Sequence, residues 1–145
     1  MSSGRVTRLT LRALDAMLPA PRIPASAVLG SRGEEEAYFF LRKEGYTIIA
    51  RNWRTPRRRG ELDLVGWDDG VLAFIEIKSR SERGFAPAEA AVDHEKQNEL
   101  RGMAREFLRR VPGRPSVRFD IVSIYLGKDA RAPLITLFKN AFTLS

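Results

Sequence analysis

An α/β protein, with helices packed on a mixed central β-sheet, is the fold this sequence predicts, and three patterns carry that expectation. From Glu34, the residues Glu34, Ala37, Tyr38 and Leu41 recur at helical spacing and form one amphipathic stripe. Two strand-like stretches, Glu61–Trp67 and Val71–Ser79, flank the turn signal Asp68-Asp69-Gly70 as the arms of a hairpin do. A second helical stripe, with Leu100, Met103, Ala104 and Phe107 at its centre, then separates this hairpin from two further strands.

Taken in order, residues 1–30 read as an N-terminal extension and 31–145 as a single domain. In the extension, Val6–Leu18 has leucines enough for a short helix, which Pro19, Pro21 and Pro24 break. The first helix of the domain carries Glu34 on its stripe and ends at Gly45. Two readings of Glu34 stand side by side. A carboxylate near a buried face needs a partner or a metal, whereas a first-turn glutamate is stabilised by the helix dipole. Tyr46–Ala50 reads as a strand. Arg51–Gly60 follows as a loop with five arginines and no acid, marked by Pro56 and Gly60.

Leu72, Phe74, Ile75 and Ile77 make the second hairpin arm apolar on both faces, as a covered central strand requires. Arg80–Ala86 is a polar loop, and Pro87–Ala90 begins a helical segment. The longer helix runs from about Asp93 to Arg110 and stops at Pro112-Gly113. Val117–Tyr125 and Leu134–Phe138 are the last strands, with Phe142 as an anchor for the tail.

Composition narrows the chemistry. The absence of cysteine excludes disulfides, thiolate metal sites and cysteine nucleophiles, and a single histidine leaves little scope for a zinc site. Any metal must be held by oxygen, which suits Mg2+ or Mn2+. Lys and Arg number 25 against 18 Asp and Glu, a net charge of +7, and such a surface attracts polyanions. No apolar run approaches the roughly 20 residues of a membrane span, and the first thirty residues lack a signal-peptide pattern. The expected location is cytoplasmic.

The stretch Gly60-Glu61-Leu62-Asp63 followed by Phe74-Ile75-Glu76-Ile77-Lys78 holds the candidate chemistry. A two-residue period puts Glu76 and Lys78 on one face of a strand, and Glu61 with Asp63 on one face of its neighbour. The tight turn brings Asp63 toward Glu76. Two carboxylates that close repel one another unless a cation neutralises them. Asp63, Glu76 and the backbone carbonyl of Ile77 form a metal-ligand set. Lys78 is placed to orient or deprotonate a water, or to neutralise phosphate charge. The competing reading makes Glu76 and Lys78 a surface ion pair beside an exposed Asp63, yet charges interrupting so apolar a strand are costly without a reason.

Around this set, Arg51, Arg54, Arg57, Arg58, Arg59 and Arg80 are candidate contacts to a phosphate backbone, against the alternative of a solvated loop. Trp53 fits either a base-stacking residue or a buried anchor. Asp120, between Phe119 and Ile121, fits either a partner of Lys78 or Arg80 or a structural ion pair. His94 is a turn cap or a substrate contact.

An acidic residue followed about a dozen positions later by Glu-x-Lys, here Asp63 and Glu76-Ile77-Lys78, resembles the signature of the PD-(D/E)XK nuclease superfamily. More closely, Ser31 to Leu144 is similar to the bacterial YraN-like family, UPF0102. The resemblance rests on Gly33-Glu34-x-x-Ala37, Gly45-Tyr46, Arg51-Asn52, Gly60–Leu64, Phe74–Lys78 with Arg80, Lys96, Arg118–Asp120 and Asn140–Phe142. It implies a restriction-endonuclease-like core related to archaeal Holliday junction resolvases. It also implies catalytic positions at Glu34, Asp63, Glu76 and Lys78, with Lys96 or Gln97 as an auxiliary helix residue. Leu62 stands where many superfamily members have proline, a position that varies among them.

The function expected from these readings is a Mg2+- or Mn2+-dependent endonuclease acting on DNA, with branched or damaged DNA as candidate substrates. A non-catalytic nucleic-acid-binding module acting with a partner is the alternative. Nucleic acid is the expected partner, DNA ahead of RNA. A homodimer is left open, and no membrane is expected.

Overall fold

A computed structural model describes residues 25–80, 92–127 and 132–145, with side chains from residue 31 onward. The order is α1 (Ala25–Lys43), β1 (Thr47–Trp53), β2 (Leu62–Asp68), β3 (Val71–Arg80), α2 (His94–Leu108), β4 (Ser116–Tyr125) and β5 (Leu134–Phe142). The helix expected at Val6–Leu18 and the segment at Pro87–Ala90 lie outside the described residues.

One five-stranded sheet runs β1-β2-β3-β4-β5. Its pairings are antiparallel except β3–β4, which α2 makes parallel by crossing over one face. The fold is therefore α/β, a mixed sheet flanked by two helices as in a restriction-endonuclease-like core. The two core layers follow from strand alternation. Leu72, Phe74, Phe119 and Ile121 pack with Leu100, Met103 and Phe107 of α2. Ala73, Ile75, Ile77 and Val122 pack with Ala37, Tyr38 and Leu41 of α1. Among the described residues no helix is long and apolar enough to cross a membrane.

Local chemistry explains the element ends. Tyr46 N–H donates to Leu41 C=O and Gly45 N–H to Arg42 C=O, a Schellman stop on α1, with Gly45 at φ +99°. Asp69 and Gly70, both at positive φ, make the two-residue β2–β3 turn between the paired Asp68 and Val71. Asp93 caps α2 by accepting the Lys96 N–H at 2.8 Å, so the cap is Asp93 rather than its neighbour His94.

Three boundaries differ from expectation. The helix bearing Glu34 begins at Ala25, so Glu34 lies well inside α1 and the first-turn dipole reading of it fails. Strand β1 continues through Arg51–Trp53, because Arg51 pairs with Leu64 and Trp53 with Leu62. Trp53 earns that extension by packing edge-on against Phe107 at 5.3 Å, under the Arg110 guanidinium, which makes it a structural anchor. Strand β5 runs on to Phe142, whose ring stacks on Phe119 at 4.5 Å.

Candidate active site

The β2–β3 ladder stops one rung early. Its last pair is Leu64 with Ile75, and the next in register would be Asp63 with Glu76. There the Asp63 carboxylate turns into the gap and accepts the Ile77 N–H at 2.9 Å. Leu62 packs in the α2-side core while Leu64 packs in the α1-side core, although residues two apart in a regular strand share a face. In the neighbouring strand, Asn52 adopts φ +49°, a left-handed conformation that asparagine tolerates better than most residues. The regular ladder ends at this point, and carboxylates gather beside it.

Three of them converge. One oxygen each from Glu34, Glu61 and Asp63 lies within 4.8 Å of the others. Gly33 lets α1 approach closely enough, since a Cβ there would collide with the Ser79 side chain of β3. Asn52 Nδ2 stands 3.4 Å from Glu34 Oε2 and 3.4 Å from Glu61 Oε1, joining two members of the trio. Arg51 approaches Glu34 at 4.0 Å, and Arg54 holds Glu61 Oε2 through Nη2 at 2.7 Å and Nε at 2.9 Å.

Burial is the main cause that pushes the Asp63 carboxyl up to about 8, and the charge of Glu76 adds to it. The Ile77 N–H opposes the shift, while Glu34 and Glu61 raise it further. Without a cation, Asp63 therefore keeps its proton at neutral pH.

Glu76 is 7% exposed and is not one of the converging trio. Its Oε1 lies 3.5 Å from Lys78 Nζ, and its buried Oε2 has no hydrogen-bond partner among the described residues. An unpaired buried carboxylate oxygen is costly to maintain, and a cation or a bound water would satisfy it. Lys78 and Glu76 share a face, and Lys78 reaches solvent with 30% of its side chain.

From α2, the Lys96 ammonium loses stability by burial, yet Glu76, Glu99 and Asp63 together hold its pKa above the usual lysine value. Gln97 points its amide elsewhere. Its Nε2 donates to Val92 C=O at 3.0 Å and its Oε1 accepts from Arg101 at 3.2 Å. Of the two auxiliary candidates, Lys96 faces the acids.

The arginines divide by surroundings. Arg54, Arg57, Arg58 and Arg59 are all exposed, so their contacts, not their burial, separate them. Arg54 is engaged with Glu61, Arg51 is near Glu34, and the Arg58 guanidinium lies close over Gly102 of α2, in the space a Cβ there would take. Arg80 closes β3 and is half-buried. Asp120 lies away from Lys78 and Arg80 in contact terms. It is fully buried, takes Arg118 Nε at 2.8 Å, the Tyr46 hydroxyl at 2.7 Å and the Asn140 N–H at 2.9 Å, and is structural.

Sequence reasoning did not single out two members of the site. Glu61 shares the strand period with Asp63, which was a usable signal. Asn52 stood in the Arg51-Asn52 pair that the family resemblance uses, but no periodicity singled it out, because its place depends on the kink in β1.

The donors present are all oxygens, with a proton on Asp63 that a divalent cation would displace and an orphaned Glu76 oxygen beside it. This set fits a hard cation such as Mg2+ or Mn2+.

Comparison with known proteins adds a family but no activity. The profile described as "Uncharacterised protein family UPF0102" matches residues 33–124. A UPF0102 protein of Koribacter versatilis (strain Ellin345) is 55% identical over 139 residues, covering 96% of each chain. One of Solibacter usitatus (strain Ellin6076) is 47% identical over 114 residues, covering 78% of this chain and 84% of its own. One of Desulforamulus reducens is 41% identical, covering 78% and 93% respectively.

Proposed function

Because the chain belongs to the uncharacterised family UPF0102, we propose its function from the site: a divalent-metal-dependent endonuclease that hydrolyses phosphodiester bonds in DNA. On this reading it is a PD-(D/E)XK enzyme related to the archaeal Holliday junction resolvases, and branched or damaged DNA is its substrate class. The observation that carries the reading is the gathering of Glu34, Glu61 and Asp63 where the regular β2–β3 ladder ends, with Glu76 and two lysines in the same neighbourhood.

Asp63, Glu76 and the Ile77 carbonyl would hold the cation, with Glu34 and Glu61 completing the shell directly or through water. When bound, such an ion supplies an activated water and stabilises negative charge on the phosphate. The protein's own part is positional. Asn52 and Arg54 fix the carboxylates of Glu34 and Glu61, and the Ile77 N–H fixes that of Asp63. Lys78, partly solvent-exposed beside Glu76, orients the water or neutralises the phosphate, and Lys96 supports the same charge from α2. Arg57 and Arg59 contact the backbone of the duplex.

Cleavage assays with Mg2+ or Mn2+ on linear, flapped and four-way DNA test this, paired with calorimetric metal titration. Glu76→Ala should lose cleavage and metal binding while retaining DNA affinity in metal-free buffer. Lys78→Ala should lose cleavage and keep metal binding, since it removes no ligand. A wild-type protein that takes up no divalent ion even with DNA present would end the nuclease reading and leave a nucleic-acid-binding module.

A further inference from the structure

At the end of the sheet remote from Asp63, α2, the start of β4 and the C-terminal tail enclose a groove of about 340 Å³. Register fixes how remote it is. Ser116 opposite Val71 begins the parallel pair, whereas Glu76 is opposite Ile121, five residues further along. Leu108, Val117 and Leu144 line the groove, and all three are half-buried residues at the margin of the α2-side core. Apolar core surface therefore reaches solvent here.

The same groove is lined by Arg105, Arg109 and Arg114. Arg105 spends one N–H on the Leu144 carbonyl at 3.0 Å, which holds the tail as a wall, and among the described residues its other donors have no partner. Arg109 lies 3.7 Å from Glu106, and its side chain is 67% exposed. Among the described residues, no carboxylate pairs with Arg114. Three guanidinium groups thus face the groove against one nearby acid.

We infer that this groove docks an acidic peptide segment carrying an apolar anchor residue, supplied by another protein. Each part of that ligand answers a part of the site. The arginines match carboxylates, and the apolar lining gains from burying one or two side chains. A phosphate backbone offers nothing to such a lining, and a duplex is too wide to enter a space at the lower end of the ligand-pocket range. Residues 1–24 are a poor occupant on charge, with Arg5, Arg8, Arg12 and Arg22 against Asp15. A second copy is opposed likewise by the net charge of +7.

The test is fluorescence anisotropy of the full chain with a labelled peptide of four aspartates followed by two phenylalanines. Saturable binding is expected, weakened about tenfold or more by Arg114→Glu and by replacing both phenylalanines with serine. Arg109→Ser serves as a second exposed variant, with circular dichroism as the check on folding, and the methyl resonances of Val117 and Leu144 should shift on binding. Four results would overturn the inference: no binding, equal binding of the serine peptide, indifference to both arginine changes, or more effective competition by a short DNA duplex than by unlabelled peptide. A concentration-dependent dimer in ultracentrifugation that Arg114→Glu abolishes would assign the groove to a second copy instead. None of these readouts depends on cleavage, so the nuclease reading can fail without this one.

Discussion

Asp63 accepts the Ile77 N–H across the gap in which a regular β2–β3 ladder would place a main-chain partner. The carboxylate therefore has two duties, satisfying a main-chain donor and presenting a charge. Two substitutions separate them. Asp63→Asn keeps an oxygen acceptor and stays neutral at every pH, so the metal-free protein should match wild type at neutral pH and exceed it above about pH 8, where Asp63 ionises beside Glu76, Glu34 and Glu61. Asp63→Ala leaves the Ile77 N–H unpaired, at a cost of about 1–3 kcal/mol. Both should lose metal-dependent cleavage by more than about 100-fold, given that even partners of metal ligands are worth 10–100-fold. Denaturant unfolding with EDTA distinguishes them, and equal stability of the two variants would show that the Ile77 bond contributes nothing.

The raised Asp63 pKa makes a prediction whose sign is fixed. Between its ordinary value of 3.8 and its folded value of about 8, the folded state binds a proton that the unfolded state has released. Stability of the metal-free protein should therefore fall as pH rises through that window, by at most about 1.4 kcal/mol per pH unit. Below the window both states are protonated and the effect is fully relieved. A cation must displace the same proton, so metal affinity should rise with pH up to about 8. Melting temperatures in EDTA across the window should slope downward for wild type and less so for Asp63→Asn. Parallel slopes would place the titration elsewhere.

Much of this could be seen in the residues before any coordinates, because it depended on periodicity. The strand period put Glu76 and Lys78 on one face, and the Asp69-Gly70 turn fixed the β2–β3 register, which stays regular as far as Leu64 opposite Ile75. The α2 stripe and the Gly45 stop were equally plain. What escaped depended on departures from period. Alternation is lost at Asp63, where the ladder opens, and Asn52 turns left-handed beside it, so the link from Asn52 to Glu34 and Glu61 had no pattern to reveal it. The continuation of β1 to Trp53 was masked by the arginine-rich composition around it. Phe107, more than fifty positions away, is what draws that strand inward.

Asn52 offers a test of that kink. Asn52→Gly accepts φ +49° without steric cost but loses both side-chain contacts at 3.4 Å, whereas Asn52→Ala loses them and keeps a Cβ in the left-handed region without the polar side chain that suits asparagine to it, a conformation costing up to about 1–2 kcal/mol. Both changes should weaken metal binding by about tenfold, and only the alanine should lower the melting temperature appreciably. Calorimetry showing wild-type metal affinity in Asn52→Gly would confine the role of this residue to its backbone.

The arginine loop should not act as one unit. Arg57 and Arg59 are exposed, and each is expected to neutralise a phosphate. Replacing both with alanine should flatten the dependence of log affinity on log salt by about two units for duplex DNA, at about 0.9 per contact. Arg54 is tied to Glu61 by two donors, so Arg54→Ala should alter metal binding more than salt dependence. Arg58 lies over Gly102, and its removal should lower stability through lost packing on α2. Binding of a fluorescent duplex in metal-free buffer over a range of salt, run beside thermal melts, separates the three outcomes. An unchanged salt slope in the Arg57/Arg59 double variant would move the nucleic-acid contact off this loop, while a slope that changes equally for Arg54→Ala would show that the Glu61 pair opens when DNA binds.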